Sequence, residues 1–159
     1  MICPAVATGW RHLTSGDQPE LMAHFLRLKE AGLRSRFGRG VSETFLDAYC
    51  SAGFGESSRM IGYFDNGQLR AVGELRSGEL AVSVESGWRR MGVATSLLKI
   101  LLRVACEIGA QSLKAYCSAE NVAAKRLMLR AGFKLMTMSA EVCGLLDVAA
   151  RRGAFAPAA

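Results

Sequence analysis

Histidine is nearly absent from this chain: His12 and His24 are the only two in 159 residues. Neither lies near an acidic or cysteine pairing that would suggest a metal, so no histidine-based metal centre is predicted. The five cysteines (Cys3, Cys50, Cys106, Cys117 and Cys143) are odd in number and widely spaced, with no Cys-x-x-Cys pair. That pattern excludes a disulfide framework or a structural zinc site and suits a reducing, cytoplasmic compartment. Aromatic residues make up 8 % of the chain, and runs of like charge go no further than pairs such as Arg89–Arg90 and Arg151–Arg152. A nucleic-acid-binding surface wants a concentrated basic patch with interleaved aromatics, so none is expected. Nor does any apolar run reach the roughly 18 residues of a membrane span, and the N-terminus shows no secretory leader.

What is present points to a globular domain. Half of the residues are hydrophobic and 21 % charged, enough for one core and too apolar for disorder. The formal net charge of +6 favours an acidic partner, such as a phosphorylated small molecule. A single domain is expected over residues 1–150, with the Ala-, Gly- and Pro-rich residues 151–159 as a frayed tail.

Periodicity divides the chain further. A short strand over "GWRH" leads to a helix over residues 20–32, with Gly32 as its stop and "RSRFGRG" beyond it as a basic loop. Ser42 caps a second short helix. Two strands flank Asn66–Gly67, a strong hairpin signal. A third strand alternates cleanly, with Leu80, Val82 and Val84 on one face and Glu79, Ala81, Ser83 and Glu85 on the other. A long amphipathic helix follows, then strand "QSLKAYCS", a helix from Asn121 to Gly132, strand "FKLMTMS" and the option of one more over "VCGLLDV". The class is α+β.

The segment "RRMGVATSLL" opens the long helix. A helix start offers amides without acceptors and roughly half a positive charge. Gly92 lets the backbone curl so that amides converge, Ala94 keeps the surface low, Thr95 adds a hydroxyl, and Arg89 and Arg90 add attraction. These features describe a cradle for a diphosphate. The spacing is neither that of a Walker loop nor that of a dinucleotide fingerprint.

Arg89-x-x-Gly92-x-Ala94 after an alternating strand, together with Asn121, Ala124, Leu127 and Gly132–Phe133 further on, resembles the GCN5-related N-acetyltransferases (GNAT). Nearly the whole chain follows that family's element order. The resemblance implies a mixed sheet of about six to seven strands with about four helices. It also implies acetyl-CoA as acyl donor and transfer to a primary amine by direct attack. By the same resemblance Arg89, Arg90, Met91, Gly92, Val93, Ala94 and Thr95 form the pyrophosphate loop. Val82, Ser83 and Val84 run beside the pantetheine arm, and Asn121, Ala124 and Lys125 flank the cofactor.

An amine must lose a proton before attack, and free lysine titrates near 10.4, so a base is required. Glu79 is the first candidate, where many members of the family use a carboxylate; Glu74 is second and Glu85 third. Met128 stands where the family often has a tyrosine acid, which leaves Tyr116, Cys117 or Ser118 as substitutes, or unaided departure. "LRSRFG" and "GELAVSVESGWRRMG" are similar to domains that acetylate lysines of bacterial acyl-CoA synthetases. The acceptor is therefore a protein lysine or a small amine, and a homodimer is an option the sequence does not decide. The alternative reading is a catalytically degenerate acyl-CoA-binding or protein-interaction module.

Overall fold

In a computed structural model, which describes residues 8–155, the alternating segments form one seven-stranded sheet. Strand β1 (Thr8–His12) lies antiparallel to β2 (Ser58–Asp65), which pairs with β3 (Gln68–Arg76), which pairs with β4 (Glu79–Val84). Two tight turns set the register. Asn66 and Gly67 have φ of 50° and 76°, and Ser77 and Gly78 have 51° and 80°. Paired positive φ values give turns whose twist matches that of the flanking strands.

Beyond β4 the sheet is mixed. Strand β5 (Ser112–Ser118) runs parallel to β4, and the optional last strand, β7 (Glu141–Asp147), inserts between β5 and β6 (Lys134–Met138). Helix α4 (Val93–Glu107) covers one face through Leu97, Leu98, Leu101 and Leu102, all buried in a core shared with Leu80, Leu113 and Leu146. The approach is close because Gly73 has no side chain: a Cβ there would sit 2.5 Å from Leu101 Cδ1. Helix α5 (Val122–Ala131) joins this layer and is closed by Gly132 at φ 96°.

Three helices cover the opposite face: α1 (Gln18–Arg27), α2 (Lys29–Phe37) and α3 (Glu43–Ala52). Their core gathers Leu21, Phe25, Leu46 and Cys50 against Met60, Phe64 and Val72. Ser42 caps α3 as expected, its hydroxyl accepting from the Phe45 amide at 3.1 Å.

The first helix is shorter than expected, ending at Arg27. Gly32 does not end it; the chain kinks at Lys29, with φ 60°, and a new helix runs through Gly32 and the supposed basic loop as far as Phe37, stopping at Gly38 with φ 73°. Gly32 serves close packing instead, since a Cβ there would meet Leu28 Cβ at 2.9 Å. At the other end, Arg152–Phe155 form a last helical turn, α6, and residues 156–159 of the expected tail lie outside the described residues, as does Cys3. Among the described residues no helix is long and apolar enough to cross a membrane.

Candidate active site

The parallel pair β4–β5 is joined at one place only among the described residues. Glu79 lies opposite Lys114, and the Lys114 amide donates to Gly78 O at 2.9 Å. Past that joint the strands part. Glu85 N donates to Arg70 O at 3.0 Å, and hydrogen-bonding direction alternates along an antiparallel strand. The backbone groups of Val82 and Val84 therefore point away from β3, into the gap that β5 leaves. Two cavities open along it, and Ser35, Arg36, Arg89 and Asn121 line both.

The first cavity, about 610 Å³, brings together Val82, Ser83, Val84, Arg89, Arg90, Gly92, Val93, Ala94, Thr95, Asn121 and Ala124, all named from the resemblance. Met91 and Lys125 do not line it, and Met91 is turned outward at 66 % exposure. Gly92 is the N-cap of α4 with φ 77°, and the Ser96 amide is the first to close back, onto Gly92 O at 3.0 Å. The amides of Val93, Ala94 and Thr95 are thus left free at the helix end. Arg90, at φ 61°, is also left-handed, so the loop curls as an anion-binding concavity requires. Open space surrounds the position where a Cβ on Gly92 would stand.

Arg89 is used differently from the expectation of a distant attractor. Its Nε donates to Val84 O at 3.0 Å, fastening the loop to the end of β4. The cavity's charge comes from more residues than the sequence reading named: Arg126 and Arg130 join Arg36, Arg89 and Arg90, and no carboxylate lines it. The spacing of Arg126 and Arg130, one helical turn apart, was the available signal. Asn121 has two bonds: Oδ1 caps α5 by accepting from the Ala124 amide at 3.1 Å, and Nδ2 donates to Ser35 Oγ at 3.4 Å.

The second cavity, about 1040 Å³, holds Glu74, Glu79, Tyr49, Tyr116, Cys117 and Ser118. The two expected bases differ sharply within it. Glu79 is exposed and makes no ion pair among the described residues. Glu74 is 1 % exposed, paired with the guanidinium of Arg36, with Arg76 at 3.4 Å, and with the Tyr49 hydroxyl at 3.1 Å. Burial and the neighbouring Glu74 charge push the Tyr49 phenol up to about 12, so it remains a donor. Tyr116 is exposed on β5; its partner Cys143 foremost, then burial and Glu79, raise it above its ordinary value. Burial likewise raises the Cys117 thiol, which belongs to the α4 core. Met128 is buried, with Sδ 2.8 Å from where a Cβ on Gly144 would stand.

Glu85, the third candidate, belongs to a buried chain that the sequence did not reveal. His24 Nδ1 lies 3.1 Å from Glu85 Oε2, and His24 Nε2 lies 2.9 Å from Ser83 Oγ. Arg27 and Arg70 complete Glu85 at 2.9 and 3.3 Å. Burial pushes this carboxyl up, but the His24 and Arg27 hydrogen bonds outweigh it and hold it below the usual range. The chain ties α1 to the β4 edge and leaves Glu85 no free oxygen for a substrate.

The model of the acetyltransferase (GNAT) family matches residues 27–133, more than half of the 159. No curated protein matches the chain in sequence. Among solved structures it is similar to the GNAT domain of S. lividans PAT, at 17 % identity over 88 % of this chain and 90 % of that one, with a TM-score of 0.75. It is also similar to the ribosomal-protein-S18-alanine N-acetyltransferase from Escherichia coli, at 18 % identity, 89 % and 94 % coverage and a TM-score of 0.68. A third is yncA from Salmonella typhimurium, solved with its cofactor acetyl-CoA, at 18 % identity, 89 % and 94 % coverage and a TM-score of 0.66. At such identities the likeness speaks for the fold.

Proposed function

The chain belongs to the acetyltransferase (GNAT) family, and on that premise we propose that it moves an acetyl group from acetyl-CoA to a primary amine, on a protein lysine or a small molecule, by direct attack in a ternary complex. One observation carries this reading: the two cavities meet where β4 and β5 part, and the first is lined by five arginines and no carboxylate. That composition suits a polyanion such as the phosphates of CoA. The free amides of Val93, Ala94 and Thr95 receive the pyrophosphate, and Arg90, Arg126 and Arg130 balance its charge. The outward backbone groups of Val82 and Val84 hold the pantetheine amides, with Ser83 between them and Asn121 and Ala124 across the gap.

Acetyl-CoA supplies the activated thioester. Glu79, unpaired at the β4 end of the second cavity, takes the proton that the attacking ammonium must lose. Glu74 is ill suited to that task, because protonating it would strip the charge from its two arginine pairs. Tyr116 shares the cavity with Glu79 and, with its pKa raised, holds a proton for the departing sulfur.

Calorimetric titration with acetyl-CoA, using desulfo-CoA and ATP as controls, tests the site. Micromolar binding that Gly92→Glu abolishes is expected, because the new carboxylate would stand in the open space of the cradle. Absence of binding, or binding indifferent to that substitution, overturns the assignment. Release of CoA that depends on an added amine separates an enzyme from an acyl-CoA-binding module.

A further inference from the structure

Cavity two contains charges that no partner balances among the described residues. On its α2–β3 side, Arg36 and Arg76 converge on one carboxylate, Glu74. Two guanidiniums against one carboxylate leave a positive charge over, and the Arg36 side chain is only 9 % exposed. Phe37 lies beneath its guanidinium at 4.6 Å. Its Nη2 makes the bonds to Glu74 and the Tyr49 oxygen, its Nε is buried without a partner, and no protein acceptor meets Nη1 among the described residues. A buried cation with unused donors is costly until an anion satisfies it. On the β4–β5–β7 side of the same cavity, Glu79, Glu120 and Glu141 are exposed and without an ion pair among the described residues.

We infer that the acceptor is a free amino acid, whose carboxylate is bound by Arg36 and whose ammonium faces Glu79. This rests on the acetyltransferase reading and narrows its amine to one that carries a carboxylate. Arg36 lines both cavities, so a carboxylate held there sits where the cavities meet, with the adjacent amine next to the incoming thioester. The depth of the guanidinium favours a small free molecule over a side chain presented on a protein surface. Glu120 and Glu141 then face the part of the acceptor that points to the mouth. In the transfer Glu79 takes one ammonium proton, the freed amine nitrogen forms the amide bond as the carbon–sulfur bond breaks, and the second nitrogen proton passes to the departing sulfur, directly or relayed through Tyr116, so that CoA leaves as the thiol.

The experiment compares matched pairs in a CoA-release assay: lysine with cadaverine, ornithine with putrescine, glutamate with 4-aminobutyrate, and each amino acid with its amide. A charge-assisted hydrogen bond from Nη1 predicts kcat/KM about ten- to a hundred-fold higher for the member with the α-carboxylate. In Arg36→Gln that ratio collapses toward one, with most of the loss in KM; the wild-type comparison stands even if this variant folds poorly. Equal rates within the pairs, or faster transfer to a lysine-containing peptide than to any free amino acid, overturn the inference and leave the acetyltransferase reading intact. If no amine is acetylated, that reading fails. The carboxylate preference is then decided by titrating the same pairs into the CoA-loaded protein, where equal or absent affinity for both members overturns it.

Discussion

Replacing Glu74 by glutamine keeps the shape of the side chain and removes its charge, and the surroundings set the cost. Glu74 is 1 % exposed, and Arg36, Arg76 and the Tyr49 hydroxyl all depend on it. Breaking a buried ion pair from one side costs about 3–5 kcal/mol, because the remaining charge stays buried without a partner. In a chain of this length each kcal/mol lowers the melting temperature by about 2–4 °C, so a fall of roughly 6–20 °C is expected. Glu79→Gln is the matched control: exposed and unpaired, it should change stability by less than about 0.5 kcal/mol. Its turnover should fall by about 10²–10⁴, the usual range for a lost general base. Thermal denaturation followed by circular dichroism, together with CoA release at saturating acceptor, reads both effects. If Glu74→Gln melts with the parent, the buried network is worth nothing. If Glu79→Gln turns over normally, Glu79 is not the base. Either result refutes the division of labour between the two carboxylates.

Three further outcomes follow from the same geometry. The Tyr49 phenol is raised from 10.0 to about 12 in the folded state, so its contribution is fully present below pH 10 and lost as pH rises through about 12. The loss amounts to up to about 3 kcal/mol; denaturant titrations across that window should show it as a slope that Tyr49→Phe lacks. Gly73→Ala should destabilise by about 1–3 kcal/mol, since its Cβ meets Leu101 Cδ1 at 2.5 Å and Leu97 Cδ2 at 3.4 Å, and a melting curve unchanged from the parent would contradict that packing. Asn121→Ala should cost about 1 kcal/mol through loss of the α5 cap. It should also weaken acetyl-CoA binding in calorimetry; unaltered affinity would reduce Asn121 to a cap.

The regular elements and the left-handed turn that opens α4 were legible because they depend on local pattern. The alternation of β4, the Asn66–Gly67 turn and Gly92 before an amphipathic run each state their structure within a few residues. The α2 segment was misread because Gly32 is a strong stop signal on its own, whereas tertiary packing against Leu28 and Arg89 decides its use. Long-range side-chain chemistry was not legible. Nothing near His24 in sequence announces Ser83 or Glu85, 59 and 61 residues away at the far end of β4. Arg36, read as part of a basic loop, became the buried partner of Glu74 once the loop proved to be a helix. Glu79 and Glu74 were told apart only by their surroundings, since the pattern placed them on neighbouring strands without showing what packs against either.

The single backbone joint between β4 and β5 also governs how the molecule unfolds. Four strands on one side and three on the other are each held by extended antiparallel ladders, while between them, among the described residues, a single bridge at Glu79 and Lys114 joins the main chains. The rest of the coupling comes from the shared apolar core beneath, which is non-directional and tolerates small separations. Amides along the inner edge of β5 belong to the least protected part of the sheet and should exchange with solvent well before those of β3. A ligand bridging both edges converts two loosely coupled blocks into one cooperative unit. Its affinity then appears less as a uniform gain in stability than as the merging of two unfolding events into one.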